Sequence, residues 1–254
     1  MSGPVTLKIG GWAGQHRVAV DAVATHPGDA MVVVHGGGNV VGDWSLRMGI
    51  QPQFRDGLRV TDDETLEVVV AVLAGLVNSR IVAHLVAAGR SAIGLTGVDG
   101  GLLRIQPHPA DIGNVGEVIG LDQALLQKLL QEGLTPVVAP IGADAEGRLH
   151  NVNADEVAGA VAAARGGTLL LCTDVPAVLH HGEPVAQLDA EEAREMLDDG
   201  SAAEGMRPKL RAALVAARAG CTVRIIDGRS ADAVAAALGG EPVGTTVRAP
   251  QEVS

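Results

Sequence analysis

Asn151, Asn153, Asp155 and Glu156 fall within six residues and bring two amides and two carboxylates to one place. They crowd the junction between an extended segment, residues 148–150, and a helix expected over residues 153–165. Asn153 is suited to cap that helix, because a short polar side chain satisfies free N–H groups of the first turn. Glu156, three residues on, is where a capping box wants an acid. Capping does not account for Asn151 and Asp155, which are parts suited to a ligand. Other parts fall at further element ends: Lys8, the run Gly36-Gly37-Gly38, Arg59, Asp174 and Lys209. Strand, glycines, helix is an order that offers backbone N–H groups and a helix N-terminus to an anion. It matches neither the dinucleotide fingerprint nor a phosphate-binding loop ending in Gly-Lys-Ser/Thr. Lys209 stands at a helix start, where a cation opposes the helix dipole. Neither a Ser-His-Asp or Cys-His set nor a metal-ligand spacing is present. Two lysines, an arginine, glycine loops and a central carboxylate are the parts of phosphoryl transfer, a reaction that needs charge, donors and alignment rather than a protein nucleophile.

The elements that must position these residues alternate. Strands are expected over residues 5–9, 31–34, 92–95, 136–140, 168–173 and 222–226, with minor ones over 185–188 and 244–247. Helices are expected over 15–26, 40–48, 62–88, 122–131, 153–165, 190–197, 209–219 and 231–238. Residues 53–60 read as an irregular or hairpin segment, 102–121 as a hairpin lid and 141–147 as a polar turn. Thr61 reads as the cap of the long helix, with a bend or break at Gly75. Alternation of this kind calls for an α/β fold: a three-layer αβα sandwich with a mainly parallel central sheet. A division near Gly166-Gly167 separates residues 1–165 from residues 166–254.

The 254 residues carry a formal net charge of -11, which argues against nucleic acid or an anionic membrane as partner. A small anionic substrate then depends on a few local cations. Aromatics make up only 1% of the chain, so the core must be Ala, Val, Leu and Ile. Cys172 and Cys221 lie in apolar runs and read as buried hydrophobes. No signal-like start and no run of about 18 apolar residues is evident, so a soluble, cytoplasmic protein is expected. The Ala- and Val-rich helix over 62–88 suits either a dimer surface or core burial.

Taken in order, several motifs resemble the amino acid kinase family, on its branch acting on N-acetyl-L-glutamate. They are Lys8-Ile9-Gly10-Gly11, His35-Gly36-Gly37-Gly38, Gly57-Leu58-Arg59-Val60-Thr61-Asp62, Gly94-Leu95-Thr96-Gly97 and Gly116-Glu117-Val118. Asn151-Val152-Asn153-Ala154-Asp155, Thr173-Asp174-Val175-Pro176 and Gly205-Met206-Arg207-Pro208-Lys209 complete the set. The resemblance covers nearly the whole chain and implies the carbamate-kinase-like version of the sandwich, with a substrate lobe over 1–165 and a nucleotide lobe over 166–254. It implies that Lys8 and Lys209 stabilise the transferring phosphoryl, held by Asp155. Gly11, Gly37 and Gly38 would donate N–H groups, Arg59 would clamp a carboxylate, and Asn151 would bind the α-carboxylate or acetamido end. Gly10, Asp174, Val175, Pro176, Ala177, Val178, Leu179, Ser201, Ala202 and Ala203 would border ATP. Magnesium would ride on ATP phosphates and water, with no protein ligand named.

The substrate carboxylate is already ionised at neutral pH and needs no base, so His35 reads as a packed or hydrogen-bonded histidine. Three features depart from the family pattern. Glu204-Gly205-Met206 replaces Gly-Gly-Met, Pro176-Ala177-Val178 replaces Pro-Gly-Val, and Asp43-Trp44 follows the glycine run, where it could reshape an acyl pocket. The chain as given lacks the N-terminal helix of arginine-inhibited hexameric relatives, which implies a homodimer without arginine feedback. Two rival functions stand beside phosphorylation of N-acetyl-L-glutamate. One is a kinase for aminoadipate or glutamate carried on a small acidic protein, which would need a wide basic mouth. The other is a non-catalytic amino-acid-sensing domain, which would be expected to lose Lys8, Lys209 or Asp155.

Overall fold

A computed structural model describes residues 3–10, 17–28 and 30–249. The chain runs β1 (Val5–Ile9), α1 (Arg17–Thr25), β2 (Met31–His35), α2 (Gly38–Arg47), β3 (Phe54–Arg55), β4 (Leu58–Arg59) and α3 (Asp63–Val70). A π-helical stretch, Ala71–Val77, leads without a break into α4 (Asn78–Ala87). Then come β5 (Ala92–Thr96), β6 (Leu103–Pro107), β7 (Val115–Leu121), α5 (Ala124–Gln131), β8 (Thr135–Ala139), β9 (Ile141–Ala143), β10 (Leu149–Val152) and α6 (Ala154–Arg165). The rest is β11 (Thr168–Thr173), β12 (Val178–His180), β13 (Glu183–Val185), β14 (Gln187–Leu188), α7 (Ala190–Asp198), α8 (Arg207–Arg218), β15 (Thr222–Asp227), α9 (Ala231–Leu238) and β16 (Thr245–Val247).

Eight strands form one sheet in the order β14-β16-β15-β11-β1-β2-β8-β5. Every pair in it is parallel except β15 with β16. Because side chains alternate along a strand, β11 sends Leu169 and Leu171 into one helical layer and Leu170 and Cys172 into the other. The first layer holds α5, α6, α7 and α8, and the second holds α1, α2, α3, α4 and α9. Each fully buried Leu or Ile of this kind contributes about 1.5–3 kcal/mol. The expected three-layer sandwich is therefore the architecture found. Cys172 and Cys221 are both buried free thiols, also as expected.

Several local expectations are corrected. The long helix is capped by Asp62, whose carboxylate accepts the Thr65 N–H at 2.8 Å, and not by Thr61. An acid held in that position gains from the helix dipole as well as the hydrogen bond. The helix does not break at Gly75; it widens into the π-helical stretch that contains it. This stretch with its flanking helices, residues 63–87, is long and apolar enough to cross a membrane by length and composition, at mean hydropathy 1.9. Its apolar residues are not continuous, being interrupted at Asn78, Ser79 and Arg80, so the expectation that no run of about 18 apolar residues spans a membrane is not contradicted. One face of the helix packs into the core through Val69, Leu73, Val77, Ile81 and Leu85. Residues 102–121 form a hairpin, as expected, but it is built into a sheet rather than standing as a lid. As β6 and β7 they close a small four-stranded sheet with β9 and β10, so residues 141–143 are strand rather than polar turn. The hairpin of β3 and β4 turns on Asp56 and Gly57, both with positive φ, as a two-residue loop requires.

Candidate active site

The site begins at the amino end of α6. Asn153 caps this helix, its Oδ1 accepting the N–H groups of Asp155 at 2.9 Å and Glu156 at 3.3 Å. Glu156 does not complete a capping box. Its carboxylate instead reaches across to β7 and accepts the Val118 N–H at 2.6 Å. The cap fixes Asp155 in the first turn, where the helix dipole favours a carboxylate.

Lys8 lies on β1 at the middle of the sheet, its backbone opposite Val34 on one side and Leu171 on the other. Lys209 lies in the first turn of α8, which packs on α6. Lys8 Nζ is 3.0 Å from Asp155 Oδ1, and Lys209 Nζ is 3.2 Å from Asp155 Oδ2. Lys209 also donates to the Gly205 carbonyl at 3.3 Å. All three side chains are almost wholly enclosed. Burial pushes the Asp155 carboxyl up, but the two ammonium groups outweigh it and hold the acid below the usual carboxylate range. Burial, and then the charge of Lys8, pull Lys209 below an ordinary lysine; Asp155 and Asp174 only partly restore it. The result is an ionised bridge with two cations against one anion, whose surplus charge suits a phosphoryl group.

Two cavities flank the bridge. The first, about 230 Å³, is lined by Lys8, Gly10, the Gly36, Gly37 and Gly38 turn, Arg59, Asn151 and Asp155, with Phe54, Leu58 and Val115 as apolar wall. Arg59 donates through Nη2 to the Gly38 carbonyl at 2.9 Å and stacks its guanidinium 4.8 Å from the Phe54 ring centroid. Its Nη1 is buried and, among the described residues, has no partner. Burial lowers the Arg59 pKa. A buried guanidinium donor without a partner, on a residue that lines a polar cavity, has the chemistry suited to a carboxylate. Asn151 Nδ2 donates to Thr61 Oγ1 at 3.1 Å, and Thr61 Oγ1 donates to the Arg59 carbonyl at 2.9 Å. Thr61, expected as a helix cap, thus ties the Arg59 segment to β10.

The second cavity, about 510 Å³, is lined by Asp174, Val175, Ala177, Leu179, Ser201, Ala202, Ala203 and Lys209. Pro176 and Val178 are not among its walls. Val178 is fully buried, and its N–H is donated to Thr245 Oγ1 at 2.8 Å. Gly10 lines the first cavity rather than this one. Gly11 lies outside the described residues. His181 and Met206 also line the second cavity and were not singled out from sequence. His181 is held there by a β12–β13 turn with positive φ, which only the folded hairpin reveals. Trp44 does not line the first cavity; it stands partly exposed against Arg47.

A model of the amino acid kinase family matches residues 7–227. The chain is 45% identical over 246 residues to an acetylglutamate kinase of Rubrobacter xylanophilus, covering 96% of each. It is 47% identical over 210 residues to an acetylglutamate kinase of Methanopyrus kandleri, covering 78% of this chain and 85% of that one. Among solved structures, a Streptococcus mutans protein is similar at a TM-score of 0.80 and 26% identity, over 98% of this chain and 99% of that one.

Proposed function

This chain belongs to the amino acid kinase family, and from that premise we propose that it transfers the γ-phosphoryl group of ATP to the side-chain carboxylate of N-acetyl-L-glutamate, a step of arginine biosynthesis. The observation that carries the reading is the Lys8–Asp155–Lys209 bridge lying between one cavity that suits an acidic amino acid and another that suits a nucleotide. The first cavity is lined only by residues before 166 and the second only by residues after it, which supports a substrate lobe over 1–165 and a nucleotide lobe over 166–254.

The substrate carboxylate is the nucleophile and already carries its charge, so no residue acts as base. Arg59 Nη1 takes the substrate's α-carboxylate. Asn151 borders the same cavity and orients the acetamido end. The Gly37 and Gly38 amides, with Gly11, donate to the phosphoryl oxygens. Lys8 approaches the migrating group from the substrate side and Lys209 from the nucleotide side, so charge is met on both flanks as it moves. Asp155 aligns both amines and does not touch the phosphoryl. Asp174, Val175, Ala177, Leu179, Ser201, Ala202 and Ala203 form the nucleotide wall, with Val178 buried beneath it. Magnesium neutralises the nucleotide phosphates when bound. Asp155 has both oxygens paired with lysines, so magnesium would be carried mainly by ATP phosphates and water, and Asp174 is the carboxylate that lines the second cavity.

In this reading the active unit is a homodimer, and the outward side of the helix over residues 63–87, with Ala71, Gly75, Ala83 and Val86 exposed, supports a self-association face. Retention of Lys8, Asp155 and Lys209 in one cluster speaks against a non-catalytic sensing domain. The deciding experiment is ATP consumption with N-acetyl-L-glutamate beside glutamate, aminoadipate and their carrier-protein conjugates, with the acyl phosphate trapped by hydroxylamine. Turnover restricted to N-acetyl-L-glutamate is expected. Turnover restricted to a carrier-linked substrate would replace this reading.

A further inference from the structure

Behind the glycine turn lies a buried polar chain that the reaction does not itself use. His35 ends β2 and is completely enclosed. Its Nδ1 is 2.8 Å from the Gly36 carbonyl, and its Nε2 is 3.1 Å from Asn78 Nδ2. Asn78 Nδ2 also donates to the Val137 carbonyl at 2.9 Å. Carbonyl oxygens only accept, so both ends of the chain are determined. Val137 requires the NH2 of Asn78 on its side. That NH2 then donates to Nε2, which must be bare, and the ring proton sits on Nδ1 and is donated to Gly36. Burial lowers His35 to about 4, consistent with a neutral ring throughout the working pH range.

The backbone is shaped to hold this chain. A Cβ on Gly94 would overlap the Asn78 side-chain oxygen at 1.9 Å, so only glycine admits the carboxamide. Asn78 is the first residue after the π-helical stretch, and Leu73 and Val77 of that stretch back Gly37 directly. An extra residue in a helical turn re-aims the side chains of the next turn, a recurrent use of π-helical segments near functional sites.

We propose that His35 and Asn78 are positioning residues, which lock the Gly36–Gly37 peptide so that its N–H is presented to the phosphoryl group. The peptide is trans and planar, so a carbonyl pinned on one side by His35 points the Gly37 N–H the opposite way. Among the described residues that N–H has no backbone acceptor. A hydrogen bond accepted by the carbonyl also polarises the same peptide's N–H. The role assigned to that N–H rests on the kinase reading given above; the geometry of the relay does not.

His35→Phe removes both ring nitrogens, His35→Asn keeps a donor near the Nδ1 position, and Asn78→Ala removes the far anchor. In folded protein, kcat is expected to fall about 10- to 100-fold in His35→Phe and Asn78→Ala, the scale of a small misplacement. His35→Asn is expected to recover most of it, and the KM for ATP stays within about threefold, because the nucleotide cavity shares none of these residues. A folded His35→Phe with wild-type kcat overturns the proposal, as does a His35→Asn no better than His35→Phe. If neither His35 variant folds, nitrogen chemical shifts of wild-type His35 decide: a neutral ring protonated on Nδ1 is expected, and a proton on Nε2 overturns the relay. If wild-type protein phosphorylates none of the substrates, the kinase reading fails by itself. The ring tautomer, and a shift of the Gly37 amide resonance in Asn78→Ala with the Gly205 amide unmoved, then still decide the relay.

Discussion

Replacing Asp155 by Asn removes the one anion between two buried ammonium groups while keeping its shape. At 3.0 and 3.2 Å and an effective dielectric of about 20, each ion pair amounts to roughly 5 kcal/mol of Coulomb attraction. Burying the carboxylate offsets much of that, so the expected loss of stability at neutral pH is about 3–5 kcal/mol, the usual result of stranding buried charge. Lys209 already lies below an ordinary lysine through burial and the charge of Lys8, and Asp155 is what pulls it back up. In Asp155→Asn its pKa therefore falls further. A lysine whose folded pKa is depressed is costly where it is protonated, and that cost is relieved as pH rises toward the unfolded value of 10.5. The variant should gain stability relative to wild type as pH rises through the depressed folded value toward 10.5, by as much as about 1.4 kcal/mol per pH unit. Turnover needs the ammonium and should move the other way, falling as pH rises. Denaturant unfolding and kcat measured between pH 6 and 9 test both slopes. A variant with wild-type stability, wild-type kcat and no altered pH slope would refute the idea that one carboxylate organises both lysines.

The other predictions address parts that can be separated. Arg59→Ala should raise the KM for N-acetyl-L-glutamate about 10- to 100-fold through loss of a charge-assisted pair, with kcat nearly unchanged; unaltered substrate affinity in a binding titration would remove Arg59 from the carboxylate site. Lys8→Met and Lys209→Met should each lower kcat by on the order of a hundredfold or more in folded protein, and normal single-turnover rates would refute the assigned role. Chelation of magnesium should stop turnover yet leave the melting temperature of the nucleotide-free protein unchanged; a large drop in melting temperature would point to a metal lodged in the protein instead. In wild-type protein the stabilisation from Asp155, whose pKa is depressed, is present above the unfolded value of 3.8 and is lost as pH falls through the folded value. Asp155→Asn should therefore show a flatter acid-unfolding curve.

Much of this protein is written locally. Continuous apolar runs such as Leu169–Leu170–Leu171 announce buried parallel strands, and Asn153 and Asp189 mark helix starts, because caps and hydrophobic period are short-range physics. Lys8 and Lys209 were legible as candidates because a lysine at a central strand's end or a helix start is a poor choice for stability alone, and Asp155 because capping by Asn153 does not account for it. Their meeting was not legible from spacing, since 147 residues separate Lys8 from Asp155 and 54 separate Asp155 from Lys209; the family motifs supplied the expectation. Only the folded sheet, which sets β1 beside β11 and brings α8 against α6, closes those distances to 3.0 and 3.2 Å. The same holds for choices between nearby acceptors. Asp62 rather than Thr61 caps α3, and Glu156 turns to Val118 rather than back to Asn153, because a tertiary partner competes with the local one. The His35–Asn78 link likewise joins residues 43 apart. Sequence determined which residues can carry charge and where elements begin; the burial and crossing of those elements decided which charges share a cleft, and hence which could act together.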